Sequence, residues 1–87
     1  MSLDTQRARL KWRSRRGMLE LDLMLSRFVA VSLDKLDAQK LSAYEILLEN
    51  IDPDLFNWLM GYQTPNSMEL QEIVAYIRDQ DQIKAVP

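Results

Sequence analysis

Apolar residues recur at spacings of three and four from residue 18 onward, and this pattern constrains the fold more than any other feature. It is the repeat of an amphipathic α-helix, in which residues three or four apart lie on one face. Three such faces are present: Met18, Leu21, Leu25, Phe28 and Val29, then Leu41, Tyr44, Leu48 and Ile51, then Leu70, Ile73, Val74 and Ile77. The chain is therefore predicted to be all-α.

Several apolar residues fall beside these faces. Leu19 and Leu23 would widen the second helix's stripe, and Ile46 and Leu47 would lie alongside the third helix's face. The segment from Leu55 to Leu59 is most simply core, with Leu55, Trp58 and Leu59 at helical spacing. These positions complete the predicted hydrophobic core.

Capping residues divide the chain into helices. Asp4, Asp37, Asp52 and Asn66 are each of a type that caps helix N-termini, and Pro53 suits a first helical position. Gly61 suits a helix end. The predicted helices are Asp4 to about Ser14, Met18 to about Val31, one following Asp37, Pro53 to about Met60, and one from the Asn66 cap to about Gln80.

Together these helices form a small five-helix bundle, predicted as a single domain spanning residues 1–87. A content of 47% apolar and 28% charged residues is normal for a globular chain. Ser32 to Asp37 is expected to be a polar connection. Residues 81–87 offer little to bury and are expected to fray.

The composition excludes several classes of function. The 87 residues contain no cysteine and no histidine, so disulfides, thiolate chemistry and imidazole proton transfer are absent. Two glycines cannot build most phosphate-binding loops, and no catalytic motif is found. No apolar run approaches the roughly 18 to 20 residues that span a bilayer, and no signal or transit peptide is recognisable. We therefore expect a cytoplasmic, non-catalytic protein that makes no membrane contact.

Positive charge is concentrated at the start of the chain. Residues 1–16 contain six basic side chains and one acid, a net charge of +5, whereas residues 17–87 carry −7. With Trp12 among them, these cations could bind nucleic acid by phosphate contact and base stacking. The acidic remainder would repel a polyanion, so a protein-binding face or a merely solvated one is favoured over nucleic acid.

The basic segment meets the apolar helix at residues 15–22, which read RRGMLELD. Gly17 interrupts the helical pattern and is predicted to form the bend between the first two helices. Glu20 follows Arg16 by four residues and could pair with it if the helical path were nearly continuous. With Met18, Leu21 and Leu25 assigned to the core, Arg16, Gly17 and Glu20 are left free to meet a partner.

Two stretches together carry a resemblance to a known family. Residues 16–20 read RGMLE, and residues 52–59 read DPDLFNWL. With these motifs and its length, the chain closely resembles the SdhE/YgfY family of flavinylation factors, and RGMLE fits the family's RGxxE motif without departure. The resemblance covers roughly residues 5–78.

The resemblance implies a helical assembly factor that binds the flavoprotein subunit of succinate dehydrogenase, and in bacteria also that of fumarate reductase. It implies that the factor promotes covalent attachment of FAD to a histidine of that subunit. FAD then belongs to the client, and no cofactor is bound stably by this chain. The partner-binding residues implied are Arg16, Gly17 and Glu20, with Arg15 and Arg9 as neighbours.

Two alternatives stay open at this point. One is a small regulatory or antitoxin-like protein that binds nucleic acid or a protein through the basic segment. The other is a homo-oligomer whose interface uses the same arginine and glutamate face.

Overall fold

The computed structural model of the chain describes residues 2–80. This part of the chain contains α-helices joined by short connections and no β-strand. The helices are α1 (Leu3–Arg13), α2 (Leu19–Ser32), α3 (Ala38–Leu47), α4 (Asp52–Met60) and α5 (Met68–Gln80), with a short 3₁₀ helix at Leu33–Lys35. The predicted five-helix, all-α bundle is confirmed. The expected fraying of residues 81–87 lies outside the described residues.

Helix α2 supplies the centre of the core. Leu21, Leu25 and Phe28 are fully buried, as their spacing predicted. The Phe28 ring lies 5.3 Å from the ring of Tyr44 in α3 and meets Tyr76 of α5 edge-on at 6.3 Å. Helices α3 and α4 both pack on α5, and α1 packs on α3. The bundle therefore holds the connection between α1 and α2 close to α3 and α4.

Four apolar residues predicted to be part of the core are exposed instead. Leu19 and Leu23 each precede a buried leucine by two positions, which places them about 200° away around a helix with 3.6 residues per turn. Ile46 stands in the same relation to Leu48, and Ile51 lies beyond the end of α3. Met24, which the pattern did not single out, is buried in their place.

The prediction of a polar connection at residues 32–37 is wrong. Leu33 and Leu36 are both buried, and Leu36 N–H donates to the Leu33 carbonyl at 3.2 Å. Residues three apart eclipse on a 3₁₀ turn, so both leucines point into the core from one turn. The guanidinium of Arg7 holds this turn on α1 by donating to the Leu36 carbonyl at 2.8 Å.

The helix N-caps follow local chemistry, but two of the capping residues in α1 and α5 differ from the prediction. Asp37 caps α3 by accepting from Lys40 N–H at 2.8 Å, as predicted, whereas Ser2 replaces Asp4 as the cap of α1. The Ser67 hydroxyl, not Asn66, accepts from an N–H of α5 at 3.3 Å.

Helix α4 begins differently from the prediction and ends as predicted. Ile51 occupies the N-cap position without a side-chain hydrogen bond, and Asp52 is the first helical residue. The Asp52 carboxylate is therefore free to turn toward the α1–α2 connection. Gly61 ends the helix in the left-handed conformation, with φ of 82°.

None of the helices within residues 2–80 is both long and apolar enough to cross a bilayer.

Candidate partner-binding surface

The connection between α1 and α2, residues 14–18, is anchored at its start by a buried hydroxyl pair. Ser14 Oγ donates to the Leu10 carbonyl at 2.7 Å and lies 2.6 Å from the hydroxyl of Tyr44. Since the single Ser14 proton is used by Leu10, the Tyr44 hydroxyl must donate to Ser14. Burial raises the pKa of Tyr44 to about 12, against the opposing effects of Ser14 and nearby Arg16.

Arg16 points into the protein, and its side chain is only 15% exposed. Its Nη2 donates to the Asn50 carbonyl at 2.7 Å and its Nη1 to the Leu48 carbonyl at 3.2 Å. Its Nε donates to Asp52 Oδ1 at 2.7 Å. The guanidinium thus clamps the α3–α4 turn. Arg16 was predicted to be free to meet a partner, but in the fold its side chain is held by this turn.

The Asp52 carboxylate completes the clamp from α4. Its Oδ2 accepts from the backbone N–H of Met18 at 3.2 Å, so one carboxylate binds two points of the connection. Burial of Asp52 acts to raise its pKa, but the Arg16 guanidinium and the Met18 N–H outweigh that effect and hold the pKa below its ordinary value.

The ion pair between Arg16 and Glu20, which was expected only if the helical path were nearly continuous, does not form. The helical path is interrupted between Arg13 and Leu19, so the two side chains are not one helical turn apart. Arg16 pairs with Asp52 instead.

A second ion pair ties the connection to α2. Arg15 Nε lies 3.1 Å from Asp22 Oδ1, and the backbone N–H of Arg16 donates to the same oxygen at 2.8 Å. The Arg16 N–H and then the Arg15 side chain lower the pKa of Asp22. The Arg15 side chain is 71% exposed, so it remains at the surface while it holds Asp22.

Gly17 lies exposed between these two ion pairs, at the predicted bend. A Cβ built on it would meet only Asp52 Oδ2, at an ordinary contact distance of 3.9 Å. Its φ is not positive, unlike that of Gly61. Nothing within the described fold therefore requires glycine at position 17.

Glu20 lies exposed in the first turn of α2. Within residues 2–80 its carboxylate makes no hydrogen bond or ion pair. Arg15, Gly17 and Glu20 together form an exposed patch over the clamp, which we call the junction surface. Of the predicted site residues, these three share the patch.

Arg9 lies apart from the junction surface, on the side of α1 that faces α3. Its Nη2 lies 2.9 Å from Glu45 Oε2, and Arg13 and Gln6 donate to the same carboxylate at 3.5 and 3.1 Å. Five of the six basic side chains in residues 1–16 pair with carboxylates of this chain: Arg7, Arg9, Arg13, Arg15 and Arg16. The basic segment is thus largely neutralised within the fold.

Two residues next to the junction surface, Trp12 beside it and Asp52 beneath it, were not among the predicted site residues. Trp12 is 81% exposed, and with Lys11 and Arg15 it borders a shallow depression of about 220 Å³. An aromatic residue within a basic segment was the available signal. Asp52 was predicted only as a helix cap, and no local signal connects it with Arg16.

Comparison with known proteins assigns these residues to a family. The sequence profile of the family described as "Flavinator of succinate dehydrogenase" matches residues 8–81. The chain belongs to this family. The matched region of the flavinator family contains all of the junction surface and the clamp beneath it.

Three curated relatives named "FAD assembly factor SdhE" are similar to this chain over nearly their whole length. The protein from Legionella pneumophila strain Paris is 49% identical over 76 residues, which are 87% of this chain and 95% of the relative. That of Yersinia pestis is 39% identical over 84 residues, 97% of this chain and 94% of the relative. The protein from Pseudomonas aeruginosa is 42% identical over 82 residues, which are 94% of this chain and 98% of the relative. The resemblance carried by RGMLE and DPDLFNWL is therefore confirmed.

Proposed function

We propose that this chain is an assembly factor that binds the flavoprotein subunit of succinate dehydrogenase and promotes covalent attachment of FAD to that subunit. The proposal rests on Glu20, whose carboxylate has no partner in the described part of the chain, and on Gly17 nearby, a glycine that the described fold does not require, in a member of the flavinator family. The junction surface is the proposed contact. The flavoprotein subunit of fumarate reductase is proposed as a second client.

Rigid support favours the junction surface as a binding site. Arg16 and Asp52 hold the connection from below, and Arg15 and Asp22 hold it from the side of α2. A surface fixed before binding loses little conformational entropy when a partner docks, so more of the contact energy becomes affinity. Gly17 leaves room for the partner's backbone to approach closely.

The free groups of the surface suit contacts with a protein. Glu20 can accept hydrogen bonds from backbone N–H groups or a cationic side chain of the partner. The exposed Arg15 guanidinium has further N–H donors for carboxylates or carbonyls. Trp12 nearby can add apolar area of the kind that dominates many interfaces.

The attachment chemistry is assigned to the client. This chain has no histidine or cysteine, and in the proposal the client supplies both FAD and the histidine that becomes linked to it. The factor binds the client conformation in which these two groups are aligned, and so increases its population. Alignment alone can remove a large part of a reaction barrier.

The test is co-expression with the flavoprotein subunit, followed by flavin fluorescence on a denaturing gel. We expect Glu20→Ala to lower covalent flavin without changing the thermal melt. Glu69→Ala is the matched control, because Glu69 is also an exposed acid in the first turn of its helix. Equal covalent flavin with the wild type and Glu20→Ala would contradict the proposal. A parallel co-expression with the fumarate reductase subunit tests the second client separately.

A further inference from the structure

We propose that a pocket at the junction of α4 and α5 binds a carboxylate through Arg78. The pocket has a volume of about 150 Å³ and lies beneath the turn that follows α4. Its walls include Trp58, Thr64, Gln71 and Arg78. It is separate from the junction surface, and the inference does not depend on the proposed function.

The Arg78 guanidinium is held flat against Gly61. A Cβ built on Gly61 would lie 2.9 Å from Nη2 and 3.1 Å from both Cζ and Nη1. These nearly equal distances to three atoms of one plane mean that the guanidinium faces the glycine. Gly61 therefore serves two purposes, since its φ of 82° ends α4 and its missing side chain leaves space for the cation.

The guanidinium so placed has no hydrogen-bond acceptor among residues 2–80. Its Nε is buried without a partner, the one such side-chain nitrogen or oxygen within residues 2–80. Nη1 and Nη2 also lack acceptors in this part of the chain, but they are not enclosed. By contrast, Arg9, Arg15 and Arg16 each meet a carboxylate. An unsatisfied, partly buried cation is costly, and a bound anion would relieve that cost.

The surroundings of Arg78 favour a carboxylate. The planar guanidinium edge matches the two oxygens of a carboxylate and can hold both at once. Thr64 lines the same pocket, and its hydroxyl is a hydrogen-bond donor available to one of them. Gln71 is already fixed by its donation to the Pro65 carbonyl at 2.9 Å, so it shapes the wall. Trp58 supplies an apolar side for the carbon atoms attached to the carboxylate.

Such a carboxylate could be carried by a peptide chain or by a small free acid, and the experiment distinguishes the two. The full chain labelled with ¹⁵N is titrated with acetate, with N-acetyl-triglycine and with the amide of that peptide, all at constant ionic strength. The Arg78 Nε–H cross-peak and the backbone amide cross-peak of Thr64, which lines the pocket, are followed by NMR. We expect a saturable shift with the carboxylates and none with the amide.

The variants separate binding from general charge effects. Arg78→Gln should abolish the saturable shifts of the Thr64 amide, and Arg78→Lys should weaken binding because it keeps the charge and loses the planar fork. Arg27→Gln removes an exposed arginine elsewhere and should leave the titration unchanged. Tighter binding of the peptide than of acetate identifies a chain-borne ligand, and equal binding identifies a small acid. Linear shifts, or shifts that persist in Arg78→Gln, overturn the proposal.

Discussion

The Nε atom of Arg16 lies 2.7 Å from Oδ1 of Asp52, and the two residues are 36 positions apart in the chain. This ion pair joins the α1–α2 connection to the first turn of α4. It means that the arginine of the RGMLE motif supports the junction surface from beneath. The exposed residues of the motif are then Gly17, Leu19 and Glu20.

Removal of this arginine should therefore destabilise the fold. Arg16→Ala removes the donor that Arg16 provides to Asp52 and to three backbone carbonyls. We expect a loss of about 3 kcal/mol in the free energy of unfolding. Arg16→Lys should recover only part of the loss, because an ammonium group cannot reach the carboxylate and all three carbonyls with the same geometry. Urea denaturation followed by circular dichroism measures both variants.

A double-mutant cycle provides the control for this prediction. Arg16→Ala and Asp52→Ala should cost less together than the sum of the single losses, because the second change removes a partner that is already lost. Strict additivity would contradict a direct interaction between the two side chains.

Acid should weaken the same clamp. The pKa of folded Asp52 lies below the ordinary value that it has in the unfolded chain. Its contribution is therefore fully present above the unfolded pKa and is lost as pH falls through the folded pKa. Asp52→Asn lacks this contribution, so it should be less stable than the wild type near neutral pH, with a smaller further loss on acidification.

Denaturation curves at about pH 7 and about pH 3 test this. Asp22 has a lowered pKa as well, so some pH dependence should remain in Asp52→Asn. An unchanged difference in stability between the two pH values would show that Asp52 is not responsible.

The buried hydroxyl pair at the start of the connection gives a third prediction. Ser14→Ala leaves the Tyr44 hydroxyl buried without an acceptor, at an expected cost of about 1 to 3 kcal/mol. In the double variant with Tyr44→Phe, no hydroxyl remains unsatisfied, so the combined loss should be smaller than that of Ser14→Ala alone. Thermal melts of the three variants decide this, and a larger loss in the double variant would count against it.

The helical core was predictable because burial repeats with the local period. Leu21, Leu25 and Phe28 were assigned correctly from spacing alone. Leu33 and Leu36 were not, because a single 3₁₀ turn is too short to set a period. Leu19 and Leu23 were wrongly predicted to be buried, because the apolar face of α2 is narrower than the prediction assumed.

The candidate site was predictable only in its position. The motif located the connection and the exposed Gly17 and Glu20. The direction of Arg16 depends on a carboxylate 36 residues away, and Asp52 also satisfied the local pattern of a helix cap. Local preferences cannot decide between a cap and a distant ion pair. The pairing of Arg9 with Glu45 could not be predicted from the sequence for the same reason.

Substitutions on the buried and on the exposed face of α2 should differ in their effect on stability. Leu21 is fully buried, so Leu21→Ala should cost about 2 to 5 kcal/mol of unfolding free energy. The neighbouring Glu20→Ala should leave the unfolding free energy within about 0.5 kcal/mol of the wild type. Urea titrations of both variants measure this, and a large loss in Glu20→Ala would show that this face also supports the fold.

The two glycines provide the sharpest test of the junction surface. Gly61→Ala places a methyl group at a φ of 82° and 2.9 Å from Arg78, so it should cost more than about 1 kcal/mol. Gly17→Ala meets only Asp52 at 3.9 Å, so it should leave stability nearly unchanged. Gly17→Leu should also fold, yet it should lose binding to the flavoprotein subunit in a pull-down, because the side chain occupies the space proposed for the partner's backbone. If Gly17→Ala lowers the melting temperature as much as Gly61→Ala does, position 17 is a requirement of the fold, and the proposed close approach of a partner is wrong.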